Sequence, residues 1–339
     1  MFDWKWYLSE LKTDKDIKVF SCFSCGGGST MGYKRNGFKV VGNVEIDKEM
    51  NNIYIQNHKP KYNFNMDIRD FNKIPNDKLP KELFELDILD GSPPCTTFSI
   101  AGKREKTWGK EKKFREGQTK QTLDDLSFVF LDTVKKLKPK IVVMENVTGL
   151  IKGNAKGYVN TIIKRFKELN YNVQIFKLNS AFMEVPQKRE RIFFIANSQN
   201  YNRLNLKFNY DPICFKNVRT EKGKQIKENS QAVELLKHRK ESDKNLADIN
   251  LRMFNKNVGF TSPIVSDNDV CPTLASGGNI YRNFDGMKFS DKDIINVSSF
   301  PQDYNFMNCS PKYVCGMSVP PNMMAHISNE IYKQWLNKP

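Results

Sequence analysis

The sequence predicts an α/β fold built on a mostly parallel sheet, with a second, smaller, irregular domain after it. Three observations lead there. From residue 17 to about 197, short β-branched apolar runs alternate with stretches of helical spacing. Beyond residue 197 the alternation decays, and residues 200–262 carry 13 Lys/Arg and 7 Asp/Glu with no clear period. A chain of 339 residues is long enough for two or three domains with a substantial core.

In chain order, Ile17–Phe23, Lys39–Val44, Leu86–Leu89, Ile141–Met144, Asn172–Leu178 and Arg191–Ala196 read as strands, because each is a short apolar, largely β-branched run between turn residues. A further strand is expected to end near Asn63–Met66. Asp47–Asn57, Leu123–Leu137 and Tyr158–Leu169 have helical spacing and fall between those strands. Asp291–Ser299 and Asn322–Leu336 read as two more helices, joined by a proline-flanked link over Phe300–Pro321.

Composition narrows the partners. Lys+Arg number 54 against 38 Asp+Glu, a net charge of +16, which suits a polyanion, nucleic acid first and an acidic membrane surface second. The amino terminus, MFDWKWYLSE, has no apolar signal-like core, and runs such as Ile192–Ala196 are far too short to span a bilayer. Secretion and membrane insertion are therefore not expected. Seven scattered cysteines, an odd count, argue against a disulfide framework and for a reducing, cytosolic setting. The histidines, His58, His238 and His326, lie outside the motifs and are expected at the surface or in packing. No metal site is expected, since Cys22 and Cys25 lack a second pair of ligands.

Four motifs carry chemistry. Phe23-Ser24-Cys25-Gly26-Gly27-Gly28 lies between a strand and a helix, where glycines let a ligand approach the backbone. Glu45, at the end of the second strand, suits ribose hydroxyls, and Asp67, past the third, suits an adenine amine. These point to an adenosine-containing ligand, with NAD and S-adenosylmethionine still tied. The strand ending at Asp90 runs into Gly91-Ser92-Pro93-Pro94-Cys95, whose prolines fix the chain and present Cys95 at the strand's carboxyl end. Lys140–Val147 ends its apolar run in Glu145-Asn146, which would put a carboxyl near Cys95. In Gln187-Lys188-Arg189-Glu190-Arg191, the two arginines alternate with Glu190 and are expected to share one strand face, suited to a base oxygen and a phosphate.

These motifs, in this order, resemble the cytosine-C5 DNA methyltransferase family over nearly all of residues 17–330. The resemblance implies a Rossmann-like S-adenosylmethionine-dependent sheet formed by residues 1–199 plus 313–339, and a target-recognition domain over 200–312. It implies S-adenosyl-L-methionine as cofactor and S-adenosyl-L-homocysteine as product. By the same resemblance, Phe23, Gly27, Gly28, Glu45, Ile46, Asp67, Ile68, Ser92, Pro94 and Leu123 bind the cofactor, and Ser318 and Val319, in the last motif (Val314–Pro321), complete its pocket. Cys95 is then the nucleophile, Glu145 engages cytosine N3, and Arg189 and Arg191 support them. Cys271-Pro272-Thr273-Leu274 resembles the motif that braces the recognition domain.

Three positions depart from the family pattern. Cys25 stands where glycine is usual and would be strained if φ there is positive. Thr96 replaces a frequent Gln, and Met317 replaces a usual Asn beside Ser318.

Cytosine C5 is electron-poor, so attack by a Cys95 thiolate at C6, with Glu145 at N3, would make C5 able to accept a methyl group. The target base must leave the stack to be reached. Residues 102–121 carry 8 Lys/Arg and 3 Asp/Glu, and Lys103, Arg104, Trp108 and Arg115 are the side chains expected to touch DNA there. Arg219 and Arg239, in the basic 200–262 region, are expected to join them. The two stretches hold +11 of the net +16. The partner expected is double-stranded DNA, bound by a monomer of restriction-modification or phage type, cytoplasmic and nucleoid-associated, with a cognate restriction enzyme as a further partner. Two alternatives stay open, the same chemistry on tRNA and a non-catalytic DNA-binding regulator. A nicotinamide oxidoreductase leaves Pro94-Cys95 unexplained.

Overall fold

The computed structural model describes residues 1–94, 126–151, 156–255, 259 and 261–337. Cys95, Thr96, Lys103, Arg104, Trp108, Arg115 and Leu123 lie outside them. The chain divides into two compact units, one of residues 10–178, 190–207 and 324–339, the other of residues 1–9, 179–189 and 208–323.

The first unit is the expected α/β sheet. Its elements are β1 (Lys18–Cys22), α1 (Gly28–Arg35), β2 (Lys39–Val44), α2 (Lys48–His58), β3 (Tyr62–Phe64), α3 (Ile68–Lys73), β4 (Ile88–Gly91), α4 (Leu126–Leu137), β5 (Ile141–Val147), α5 (Lys156–Glu168), β6 (Asn172–Asn179) and β7 (Glu190–Asn197). Seven strands pair in the order β3-β2-β1-β4-β5-β7-β6. The first five pair in parallel, while β7 runs antiparallel to β5, with Val147 opposite Arg191. The ten-residue connection 180–189 is too short for a crossover helix, so β7 enters the sheet reversed.

The central strands are largely apolar because helices cover both faces. Phe20, Leu89, Val142 and Phe194 from the sheet pack with Phe130, Val134 and Ile162 from the helices in one buried cluster. Gly91 is required by that packing, since a Cβ there would lie 2.4 Å from the Phe130 ring. Strand order reverses between β1 and β4, and at such a switch point the loops beyond the strands' carboxyl ends part to form a crevice.

The second unit holds α6 (Gln231–Lys237), α7 (Leu246–Phe254), the two-stranded parallel pair β8 (Ile264–Val265) and β9 (Tyr281–Arg282), α8 (Asp291–Val297) and α9 (Pro311–Met317). α10 (Pro321–Ile331) runs from it back into the first unit. α6 and α7 lie in a stretch whose sequence has no clear period, since helices of 7 and 9 residues owe their stability to packing more than to propensity. They bury Leu235, Leu236, Leu246 and Ile249 against Ile264 and Tyr281. α9 falls inside the expected link and starts on Pro311, whose fixed φ suits a first helical turn. A buried network reinforces this small core: Arg282 pairs with Asp293 at 3.4 Å and with Asp285 at 3.0 Å, while Asp293 also accepts from Thr220 N at 2.7 Å.

By contact, residues 1–9, 179–189 and 313–323 group with the smaller unit and residues 200–207 with the larger one. Hydrogen bonds hold them there: Trp6 Nε1 donates to Ser299 O at 2.9 Å and Asn322 Nδ2 to Glu184 O at 2.7 Å.

Candidate active site

The glycine turn is built by three residues with positive φ, Phe23 at 55°, Cys25 at 45° and Gly27 at 81°. Cys25 therefore carries the strain expected of a side chain where glycine is usual, of order 1–2 kcal/mol for an L-residue in the left-handed region. What holds it is Glu45. Its carboxylate accepts from Cys25 N and from Asp47 N, each at 2.8 Å, so one buried side chain ties the β1 loop to the β2 loop. Burial pushes the Glu45 pKa up to about 7, against the lowering effect of those amides. Each oxygen keeps a lone pair for another donor.

Beneath the turn sits His58, a residue the sequence places outside every motif. A Cβ on Gly27 would come within 2.2 Å of its Nε2, and its ring packs on Tyr54 at 4.7 Å. Lys34 donates to the His58 carbonyl at 3.0 Å, and burial lowers its pKa to about 8. Burial likewise keeps His58 neutral by pushing its pKa well down. No periodicity could have shown this contact, which depends on how α1 and α2 cross.

Beside the turn is a narrow slot lined by Phe23, Val44, Ile46, Met66, Asp67, Ile68 and Leu126. Phe23, Ile46, Asp67 and Ile68 were expected from the sequence, whereas Val44, Met66 and Leu126 were not. Asp67 caps α3 by accepting from Arg69 N at 2.8 Å and pairs with the Arg69 guanidinium at 3.2 Å. Its lining is apolar apart from the Asp67 carboxylate.

At the carboxyl end of β5, Glu145 Oε1 receives Arg191 Nε at 2.8 Å. Their side chains are only 12% and 14% exposed, so solvent screens the pair weakly. The antiparallel register explains the contact, since Arg191 stands opposite Val147 and so shares the face that carries Glu145. Asn146 Nδ2 donates to Pro93 O at 3.2 Å and so joins the β5 tip to the turn carrying Ser92 and Pro94. One step back on β4, buried Asp90 bonds Ser21 Oγ at 3.0 Å and Tyr33 Oη at 3.2 Å, and burial raises its pKa to about 7.

Arg189 and Arg191 do not act as the pair the spacing suggested. Arg189 belongs to the other unit, where its buried guanidinium donates to Leu274 O at 2.9 Å and Gly316 O at 2.8 Å. Gln187 accepts from Leu274 N and donates to Val297 O in the same unit. Cys271–Leu274 is thus clamped by the segment 187–189. Ser318 ends α9 with its Oγ on Val314 O at 2.8 Å, and Val319 is buried. Arg219 forms a two-point pair with Asp267, and Arg239 donates to three carbonyls, so both guanidiniums are largely committed within the protein.

Reversed strand order, a glycine turn feeding a helix and carboxylates on the second and third strand ends define a class, the Rossmann-like enzymes that bind an adenosine cofactor at the sheet's carboxyl edge. Within it, residues 17–333 match the model of the C-5 cytosine-specific DNA methylases, and the chain belongs to that family. It is 32% identical over 194 residues to the type II methyltransferase M.FnuDI of Fusobacterium nucleatum, covering 57% of this chain and 51% of that one. It is 25% identical to M.Bsp6I of a Bacillus species, covering 94% and 100% of the two chains. The match spans about half the length of M.FnuDI and of several other curated relatives. A prophage-encoded protein from E. coli shares the fold at 18% identity, with a TM-score of 0.68 over 95% of this chain and all of that one.

Proposed function

We propose that the protein methylates C5 of cytosine in duplex DNA, with S-adenosyl-L-methionine as methyl donor and S-adenosyl-L-homocysteine as product. The observation that carries this reading is Glu145, held by Arg191 at the tip of β5, with Asn146 bonded to Pro93 two residues before Cys95 in the sequence. Membership of the DNA methylase family supports it.

The cofactor fits the residues present. The slot at Phe23, Ile46 and Ile68 suits adenine, Asp67 its amine, and the spare lone pairs of Glu45 the ribose hydroxyls. Gly27 and Gly28 let the chain come close, and Ser92, Pro94, Leu123, Ser318 and Val319 are proposed to finish the pocket. When bound, the cofactor supplies the methyl group as an electrophile. Everything else falls to the chain. Cys95, as a thiolate, forms a bond to C6. Glu145, oriented by Arg191 through Oε1, donates a proton to N3 from its other oxygen, which draws electrons from the ring so that the thiolate adds at C6 and leaves C5 the nucleophilic carbon; the proton returns to Glu145 when the adduct breaks down. After methyl transfer the C5 proton leaves to a base or water, and the C6–S bond breaks to free Cys95. Arg189 is proposed to act at a distance, by bracing the 271–274 and 316 segments.

Lys103, Arg104, Trp108 and Arg115 are proposed to meet the DNA and fill the space left by the extruded base. A monomer acting on DNA, with or without a cognate restriction enzyme, is the matching assembly. Among the described residues, no helix is long and apolar enough to cross a membrane.

The test is incubation with S-adenosylmethionine and duplex DNA containing 5-fluorocytosine, with tRNA in a parallel arm. A stable protein–DNA adduct is expected, absent in Cys95→Ser. No adduct despite binding of both ligands would favour a non-catalytic regulator, and methyl transfer confined to tRNA would overturn the DNA assignment.

A further inference from the structure

Within the unit of residues 208–323 lies an open cleft of about 450 Å³, lined by Arg239, Glu241, Ser266, Asp267, Asn283 and Phe284. Its polar groups are unequally committed. Arg239 spends its donors on the main chain, Nε on Asn283 O at 2.6 Å, Nη1 on Leu236 O at 2.9 Å and Nη2 on Phe284 O at 3.3 Å. Ser266 Oγ gives its hydrogen to Glu241 O at 3.1 Å, and Asn283 Nδ2 donates to Lys240 O at 2.8 Å. These bonds leave mainly acceptors in the cleft. The exposed Glu241 carboxylate has no hydrogen-bond or ion-pair partner among the described residues, and the Asn283 amide oxygen and the outer lone pairs of Asp267 add to it.

One wall is apolar and held still. Phe284 is 59% exposed, and the Arg219 guanidinium lies 4.2 Å from its ring centroid. Arg219 is itself fixed by its two bonds to Asp267, at 2.8 and 3.0 Å. The site therefore asks for a flat group with a hydrogen-bond donor on its edge. A carboxylate repels phosphate, so Glu241 is not a backbone contact. In the major groove the amino donors are cytosine N4 and adenine N6, and carboxylates accept readily from the former.

Resting on the DNA reading above, we propose that this cleft recognises one base of the target through its exocyclic amine. Glu241 is the specificity-determining acceptor, and Phe284 packs against the base edge. The basic composition of this region had singled out its Lys and Arg, whereas the geometry turns the choice to a carboxylate that none of the described ones pairs with.

The test uses the full chain as wild type, Glu241→Ala and Phe284→Ala. Each is made to select duplexes from a randomised pool, the bound fraction is sequenced, and methyl transfer to the same pool is measured. Wild type should enrich a motif containing at least one position restricted to a single base pair, G·C if cytosine N4 is read and A·T if adenine N6 is read. Glu241→Ala should relax that one position by tenfold or more, while affinity for unselected duplex stays equal or rises. Phe284→Ala should weaken preference at the same position. The enriched base says which amine is read. Coincident motifs for wild type and Glu241→Ala, or no motif at all, would overturn the proposal. A Glu241-dependent motif without methyl transfer would leave it standing and sink the reaction assigned to the protein.

Discussion

Substituting Gly27 by Ala probes the cofactor turn at its tightest point. Gly27 has φ of 81°, and an added Cβ would lie 2.2 Å from Nε2 and 2.6 Å from Cδ2 of His58. The left-handed backbone costs an L-residue about 1–2 kcal/mol, partly offset by the roughly 0.4–1 kcal/mol that Ala saves in unfolded-chain entropy. To reach ordinary contact the His58 ring must retreat by about 1 Å, yet it is buried against Tyr54, and overpacking of this kind costs about 1–3 kcal/mol. Gly27→Ala should therefore destabilise by about 2–4 kcal/mol in urea unfolding, with the slope unchanged. Affinity for S-adenosylhomocysteine by calorimetry should fall at least tenfold, because the turn cannot hold its shape. A double-mutant cycle separates the causes. In a His58→Ala background the steric part disappears, so the same substitution should cost only about 1 kcal/mol. A loss below 0.5 kcal/mol in the wild-type background, or no coupling to His58, would refute the reasoning.

Other consequences are equally direct. Arg191→Ala strips a weakly screened carboxylate of its partner and should cost about 3 kcal/mol of stability together with most methyl transfer, while Arg191→Lys restores part of both, as unfolding and turnover assays would show. Glu145→Gln should lower turnover by orders of magnitude with cofactor binding nearly intact in calorimetry, and unchanged turnover would sink its role at N3. Glu45 has a folded pKa of about 7 against an ordinary value of 4.5, so its contribution is fully present below pH 4.5 and lost as pH rises through 7. Relative to Glu45→Gln, the wild type without cofactor should lose about 3 kcal/mol over that window, measured by denaturation at stepped pH. Cys25→Gly relieves a φ of 45° and should leave stability equal or higher, where a glycine substitution elsewhere usually costs about 1 kcal/mol. Affinity for duplex DNA should fall steeply between 50 and 200 mM salt in a titration, given the basic stretches at 102–121 and 200–262.

The sheet was legible because its signals are local. Apolar runs of strand length, helical spacing between them and glycine or proline at the junctions are visible one segment at a time, and five of the expected strands lie within two residues of β1, β2, β4, β6 and β7. The site was legible where a residue type has few other reasons to end a strand, as with Glu45 and Glu145. Short helices were missed between residues 231 and 254 because Leu235, Leu236, Leu246 and Ile249 are buried by packing on Ile264 and Tyr281, which follow in the chain. Arg189 and Arg191 were misjudged as a pair because alternation along a strand says nothing about which carbonyl or carboxylate waits for each guanidinium.

By itself, the sequence determined the class of fold, the glycine turn between the first strand and helix, the carboxylates at the strand ends and the family, because each depends on neighbours in the chain or on motifs short enough to quote. Only the tertiary structure decided the reversed β7, the His58 ring beneath Gly27, the division of labour between the two arginines and the acceptor-lined cleft at Phe284. Those depend on distances between residues far apart in sequence, such as 31 positions from Gly27 to His58 or 46 from Glu145 to Arg191. Contacts of that range are fixed by how packed elements meet, and no periodicity along the chain records where they will.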